Sequence, residues 1–250
     1  MITWNAPHSP LQAPEDITQK YVDAGFELGI AVIYAMIEVM DSGIGKVRQA
    51  LDSSGIADDT ILMFTSDNGP AFTHREDQIS SDMSVDGRRF NCGFAGAKSS
   101  VYEGGIRVPM IAKWANGLPM DKDINEQFVF TDWLPTLLSL VGAVHIGNKP
   151  LDGYDMTSVL QGETINFEPR RFWQWNNYSP IGITNAAIRD GSWKLVRPAL
   201  DISYATDADQ TLWERYVEKD IEYKYHPEKF NETFNCAEPE QINPVPPSPE

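Results

Sequence analysis

Residues 60–70 read TILMFTSDNGP, an apolar run that stops abruptly on Asp67 and Asn68. The continuous apolar character of Ile61–Phe64 predicts a parallel strand covered on both faces. In α/β folds, ligands gather at the carboxyl ends of such strands. Side-chain oxygens from an Asp and an Asn at that place suit a hard divalent cation, Ca²⁺ or Mg²⁺. Asp-Asn-Gly is also a common strand-to-turn sequence. Two oxygens alone do not decide between a site and a turn.

Upstream, Leu28, Val32, Ala35, Val39, Ile44, Val47 and Leu51 recur at intervals that predict a long amphipathic helix over Phe26–Leu51. Gly55 stands where such a helix stops. Pro14-Glu15-Asp16 has the residues a helix favours in its first turn. Ile2–Trp4 reads as the end of a strand entering the turn Ala6–Pro10. Downstream, residues 73–97 are polar and Gly-containing without a period, a long loop of the kind that carries function. Val108–Trp114 reads as a strand, and Asp132–Val141 as a helix whose early Pro135 is tolerable. Asn148–Gln161 reads as a turn and a short helix.

After about Phe167 the character changes. Arg171–Trp175, Thr184–Arg189 and Trp193–Val196 are short strand-like segments, and Arg189-Asp190-Gly191-Ser192 is a hairpin signal. They predict a small antiparallel subdomain. Thr211–Lys219 reads as one more helix, and the Pro-rich end, 242–250, as an extended tail. The expected organisation is a core over 1–166, an antiparallel β subdomain with a helix over 167–235, and a tail over 236–250.

Acidic residues outnumber basic ones 36 to 20, for a formal charge of −16. Nucleic acid is an unfavourable partner for such a surface. An anionic substrate has to be gripped by local cations against the overall field. Two cysteines, Cys92 and Cys236, imply no disulfide framework, and one bridge between them stays open. No apolar run reaches the ~18–20 residues that cross a bilayer, so no membrane span is expected. The first residues lack a secretory pattern and run at once into structured sequence, as if further polypeptide preceded them.

Several segments occur together in order: Ala6-Pro7-His8 with Pro10–Pro14, Tyr34–Ile37 with Asp41, and Ser66-Asp67-Asn68-Gly69. Next come Lys98 with Tyr102-Glu103-Gly104-Gly105-Ile106-Arg107-Val108-Pro109, then Thr131–Thr136, then Ala187–Leu195. In this set the chain resembles the sulfatases, most nearly the arylsulfatase and N-acetylgalactosamine-sulfatase group. The resemblance implies an alkaline-phosphatase-like α/β fold, a mixed sheet flanked by helices. It implies a sulfuric ester hydrolase acting on a sulfated carbohydrate or aryl sulfate, in a periplasmic, secreted or lysosomal setting. A phosphate or phosphonate ester hydrolase of the same superfamily, or a non-catalytic sulfate-binding half-domain, is the alternative.

The resemblance also assigns residues. Asp67 and Asn68 match metal ligands, with Ca²⁺ the expected ion. Lys98 matches the lysine that bridges sulfate and nucleophile, and His8 the histidine that donates to a sulfate oxygen. Taken singly, Lys98 reads as a solvated surface charge and His8 as a turn residue. Glu103, Gly104, Gly105 and Arg107 read as structural, the glycines allowing a sharp turn. Trp173, Trp175 and Tyr178 suit packing of the small sheet better than stacking on a sugar. Asn231-Glu232-Thr233 is a formal glycosylation sequon.

Sulfatases carry a formylglycine nucleophile, made from the Cys or Ser of a Cys/Ser-x-Pro-x-Arg segment. Neither Cys92-Gly93-Phe94 nor Cys236-Ala237-Glu238 fits that pattern, and no serine heads one. The aspartate pair that completes the metal shell is not matched either. The chain is therefore expected to be the C-terminal portion of a sulfatase, with the N-terminal half as a missing partner, and to be inactive alone.

Overall fold

Residues 28–53 form the longest element of the protein, a helix whose first two turns are buried almost all round. The computed structural model describes residues 1–72, 91–147, 150–164, 169–175, 184–198 and 206–229. The chain forms two compact units, Met1–Gly93 with Arg107–Phe167, and Phe94–Ile106 with Glu168–Glu250. Lys98 and its neighbours therefore belong with the C-terminal residues. The Pro-rich end, His74, Tyr178, Cys236 and the Asn231 sequon lie outside the described residues.

In the first unit, α1 (Glu15–Asp23) packs on α2 (Leu28–Ser53). Leu11, Ile30, Val32, Ile33 and Met36 make the core, with Ala6, Ala13, Leu28 and Tyr34 against it. Burying such aliphatic side chains contributes about 1.5–3 kcal/mol each. The rim is polar: Glu38 of α2 accepts hydrogen bonds from Lys20 and Tyr21 of α1 at 2.7–3.0 Å. Those bonds hold the Glu38 carboxyl below its usual range and raise Lys20. Gly55, at φ +68°, follows the helix as a left-handed stop.

By length and composition α2 is also apolar enough to cross a bilayer, with mean hydropathy 1.5 over 18 residues. The expectation that no such run exists was too strict, because it required an unbroken apolar stretch. The buried positions Ile30–Ile33, Ala35 and Met36 show what this apolarity does here: it forms a protein core.

Strand β1 (Leu62–Thr65) pairs antiparallel with β2 (Met110–Lys113), Leu62 opposite Lys113 and Thr65 opposite Met110. This corrects the expected parallel, doubly covered strand. Its residues are half-buried or exposed, and β2 is its one partner among the described residues. An apolar run records a preference for burial and carries no information on the partner's direction. Ile2–Trp4 forms no strand either. Trp4 instead lays its ring over Gly43 of α2, where any side chain would collide with it.

A 3-10 turn (Phe130–Asp132) leads into α4 (Trp133–Leu140), and α5 (Thr157–Leu160) packs on α4. The junction is held by Asp132, fully buried, whose two oxygens accept from the amides of Val129 and Tyr154, both at 2.9 Å. Thr136 Oγ1 donates to the Asp132 carbonyl at 2.7 Å and accepts from the Met156 amide at 3.0 Å. The early position of Pro135 fits, since it falls where helix amides lack internal partners.

In the second unit, β3 (Arg171–Trp175), β4 (Asn185–Asp190) and β5 (Trp193–Arg197) form an antiparallel sheet in the order β3-β4-β5. Asp190 pairs with Trp193 around the two-residue turn Gly191-Ser192, with Gly191 at φ +54°. The one-turn helix α3 (Glu103–Ile106) belongs to this unit. Helix α6 (Asp207–Tyr225) starts on a capping box between Thr206 and Asp209 and runs well beyond the expected Thr211–Lys219.

Replacing Asp132 with Ala leaves two backbone donors without partners and should cost about 2–3 kcal/mol. Asp132→Asn, which keeps one acceptor, should cost less. Chemical denaturation of the two variants checks the ordering.

Candidate functional site

The end of β1 is shaped by side chains taking up backbone groups that the strand no longer pairs. Thr65 Oγ1 donates to the Pro109 carbonyl at 3.0 Å, fastening the strand end to the residue before β2. Ser66 Oγ donates to the Asn68 carbonyl at 3.1 Å, and Asn68 Nδ2 donates to the Gly69 carbonyl at 3.0 Å. With its amide nitrogen so engaged, Asn68 offers Oδ1 as its remaining ligand atom. The Asp67 side chain beside it is exposed to solvent.

Two oxygen donors on adjacent residues fit the chemistry of a hard dication. They fall short of the six to eight oxygens Ca²⁺ takes. Among the described residues no group of three or more His, Cys, Asp or Glu could hold a metal ion. Asp67 and Asn68 are thus a partial ligand set.

His8 lies in the same unit, on the turn Asn5–Pro10. The His8 amide donates to the Asn5 carbonyl at 2.7 Å, and the flanking Ala6 and Leu11 are fixed against α2. The ring is exposed, with Nδ1 2.8 Å from the Ser9 carbonyl. A carbonyl only accepts, so this contact places a hydrogen on Nδ1. In the neutral ring Nε2 is then an acceptor, and it donates only when the imidazole is protonated.

Lys98 belongs to the second unit and is half-buried. It stands second in a turn closed by the Ser100 amide donating to the Ala97 carbonyl at 3.1 Å. The third residue, Ser99, has φ +72°, a left-handed value that glycine favours and that costs a serine about 1 kcal/mol or more. The wider loop is closed by the Gly104 amide on the Ala95 carbonyl at 2.8 Å. The Lys98 ammonium makes no hydrogen bond or ion pair among the described residues.

The backbone just beyond Lys98 is fixed more firmly. The Val101 amide donates to Asn185 Oδ1 at 2.9 Å, and the Val101 carbonyl accepts from Lys194 Nζ at 2.9 Å. Lys194 also pairs with Glu103 at 2.8 Å and lies 5.2 Å from the centre of the Trp173 ring. Glu103 is structural, as expected. Trp173 serves the small sheet as a platform for that ammonium, while Trp175 is exposed.

The glycines of the Glu103-Gly104-Gly105 segment have a different role from the expected sharp turn. They sit in a helical turn, and a Cβ on Gly104 would run into the backbone carbonyls of Gly96 and Ala95. Backbone-to-backbone contact is what requires glycine there. The residues that sequence reasoning passed over are Asn185 and Lys194. Lys194 lies inside the Ala187–Leu195 segment, but nothing in a one-dimensional pattern ties it to position 101. Gly104→Ala should destabilise the second unit by about 1–3 kcal/mol through overpacking. Hydrogen exchange should show faster opening of residues 94–106 while α1 and α2 keep their protection.

The three metal and histidine candidates thus fall in one unit and Lys98 in the other. Known proteins share this chain's sequence and fold. A family model described as Sulfatase matches residues 1–143. The chain is 33% identical over 141 residues to the steryl-sulfatase of Mus musculus, covering 56% of this chain and 22% of that protein. To the N-acetylgalactosamine-6-sulfatase of Canis lupus familiaris it is 27% identical over 159 residues, covering 56% and 29%. Among solved structures, Ps i-CgsB in complex with k-i-k-neocarrahexaose is similar with a TM-score of 0.63 and 25% identity, over 91% of this chain and 51% of that one. A Bacteroides thetaiotaomicron protein tied to metabolism of multiple glycosaminoglycans gives 0.57 and 22%, over 88% and 48%. The chain spans about half the length of these solved structures and 22–29% of the two curated relatives. The architecture is the alkaline-phosphatase-like α/β fold with a small C-terminal antiparallel subdomain. With the family matched over more than half its residues, this chain belongs to the sulfatases.

Proposed function

We propose that this chain carries the oxyanion-binding and part of the metal-binding half of a sulfuric ester hydrolase. Its substrate class is a sulfated carbohydrate or aryl sulfate. The observation that carries the reading is the family match over residues 1–143, which contains Asp67-Asn68, Lys98 and His8 in one ordered series. A sugar substrate is supported by the likeness to a protein solved with k-i-k-neocarrahexaose.

Each residue has a defined task. Asp67 and Asn68 Oδ1 hold a divalent cation, Ca²⁺ by preference for oxygen ligands. When bound, such a cation offsets negative charge on the sulfate and lowers the pKa of a coordinated nucleophile. Lys98 places an ammonium against the sulfuryl oxygens, where fixed positive charge favours the transition state over the ground state. His8 donates from Nε2 in its protonated form, given the hydrogen that the Ser9 carbonyl holds on Nδ1. In a protein of net charge −16, Lys98 supplies local attraction that the overall field opposes.

The nucleophile comes from polypeptide outside these 250 residues, because no Cys/Ser-x-Pro-x-Arg segment is among them. Alone, with Ca²⁺ and an aryl sulfate, the chain should give no turnover. Joined to a formylglycine-bearing sulfatase N-terminal segment it should hydrolyse the ester, and Asp67→Ala or Lys98→Ala in that assembly should lower kcat about a hundredfold or more. Hydrolysis by the isolated chain would contradict the assignment.

A second expectation concerns His8. His8→Gln removes the ring assigned to the sulfate oxygen and should weaken sulfate affinity. Calorimetric titration of the two proteins checks it, and equal affinities would refute the assignment.

A further inference from the structure

The turn that carries Lys98 is under backbone strain, and part of what holds it lies outside the turn itself. Ser99 keeps φ +72° although it is not glycine. Such a conformation persists only where surrounding contacts over-determine it. Those contacts come from two side chains of the C-terminal sheet. Asn185, at the start of β4 and 4% exposed, accepts from the Val101 amide at 2.9 Å and donates from Nδ2 towards the Ser99 carbonyl at 3.4 Å and the Trp175 carbonyl at 3.2 Å. Lys194, on β5, donates to the Val101 carbonyl at 2.9 Å and to Glu103 Oε1 at 2.8 Å.

Both peptide groups of Val101, a residue 1% exposed, are therefore captured by side chains from about ninety residues further along the chain. The bonds within the loop close it on itself, and these two side chains tie it to the small sheet. Lys194 also ties Glu103 of the same loop to β5.

We propose that Asn185 and Lys194 are positioning residues for Lys98. They fasten the strained turn at residues 97–100 to the small sheet. The small antiparallel sheet then contributes to oxyanion binding without touching the substrate. The proposal rests on the reading of Lys98 as a sulfate ligand, and the experiment separates the two.

Acylation of individual lysines in the whole chain is followed by mass spectrometry, in sulfate and in chloride at equal ionic strength, with exposed Lys46 and Lys113 as internal standards. Sulfate at twice its Kd should slow labelling of Lys98 about threefold in the wild type. The same slowing should be seen in Lys194→Arg, which keeps the charge. It should vanish in Asn185→Ala and in Lys194→Met, with hydrogen exchange faster at residues 99–103 while amides of β4 and β5 stay protected. Lys194→Met retains the stem over Trp173 and decides the matter if Asn185→Ala opens the sheet. Protection of Lys98 that survives in both variants overturns the positioning role and leaves the Lys98 reading standing. Sulfate that has no effect on Lys98 in the wild type overturns that reading, and the positioning role with it.

Discussion

Irregular backbone that is taken out of water must find partners for its N–H and C=O groups, and in this protein side chains meet that demand. The strands are four to six residues long, too short to absorb the connecting segments into ladders. Asp132 takes the amides of Val129 and Tyr154, Asn185 and Lys194 take both peptide groups of Val101, and Thr65 takes the carbonyl of Pro109. Each of these side chains comes from a regular element, most from its end, and reaches into a loop. The loops that bear His8, Asp67 and Lys98 are held in this way or by packing on α2.

Charge is arranged on the same principle. Carboxylates outnumber cations, yet several cations are already committed: Lys194 to Glu103, Arg170 to Asp190, Lys20 to Glu38. Pairs as exposed as Lys20–Glu38 contribute little stability. Their consequence is distributive. Each quenches an acid locally. Lys194–Glu103 is the most enclosed of the three pairs, and it lies on the Lys98 loop.

Much of the secondary structure was readable from local patterns. The spacing of Leu28 to Leu51 defined α2, and the three apolar segments after Phe167 with Asp190-Gly191 defined the β3-β4-β5 sheet with nearly correct ends. These features depend on residues close in sequence. The failures concern what a strand pairs with. Ile61–Phe64 is apolar enough for a doubly covered parallel strand, but β1 meets an antiparallel partner more than forty residues later. The candidate residues Asp67, Asn68, Lys98 and His8 were proposed from the ordered resemblance to the sulfatases, whereas the grip of Asn185 and Lys194 on Val101 is long-range and escaped it. The role of Gly104 was misjudged for the same reason, because its constraint comes from Gly96 and Ala95 across the loop, not from its own dihedral angles.

That glycine contact has an implication for how such a loop varies over evolutionary time. Where two stretches of main chain touch directly, the fit is indifferent to the side chains on either side of them. An exposed position such as Tyr102 is free to change in polarity while the closure between residues 95 and 104 stays as it is. A lineage can therefore alter what surrounds the lysine without rebuilding the frame that carries it, and what the frame does not absorb is the addition of a single methyl group at 104 or 105.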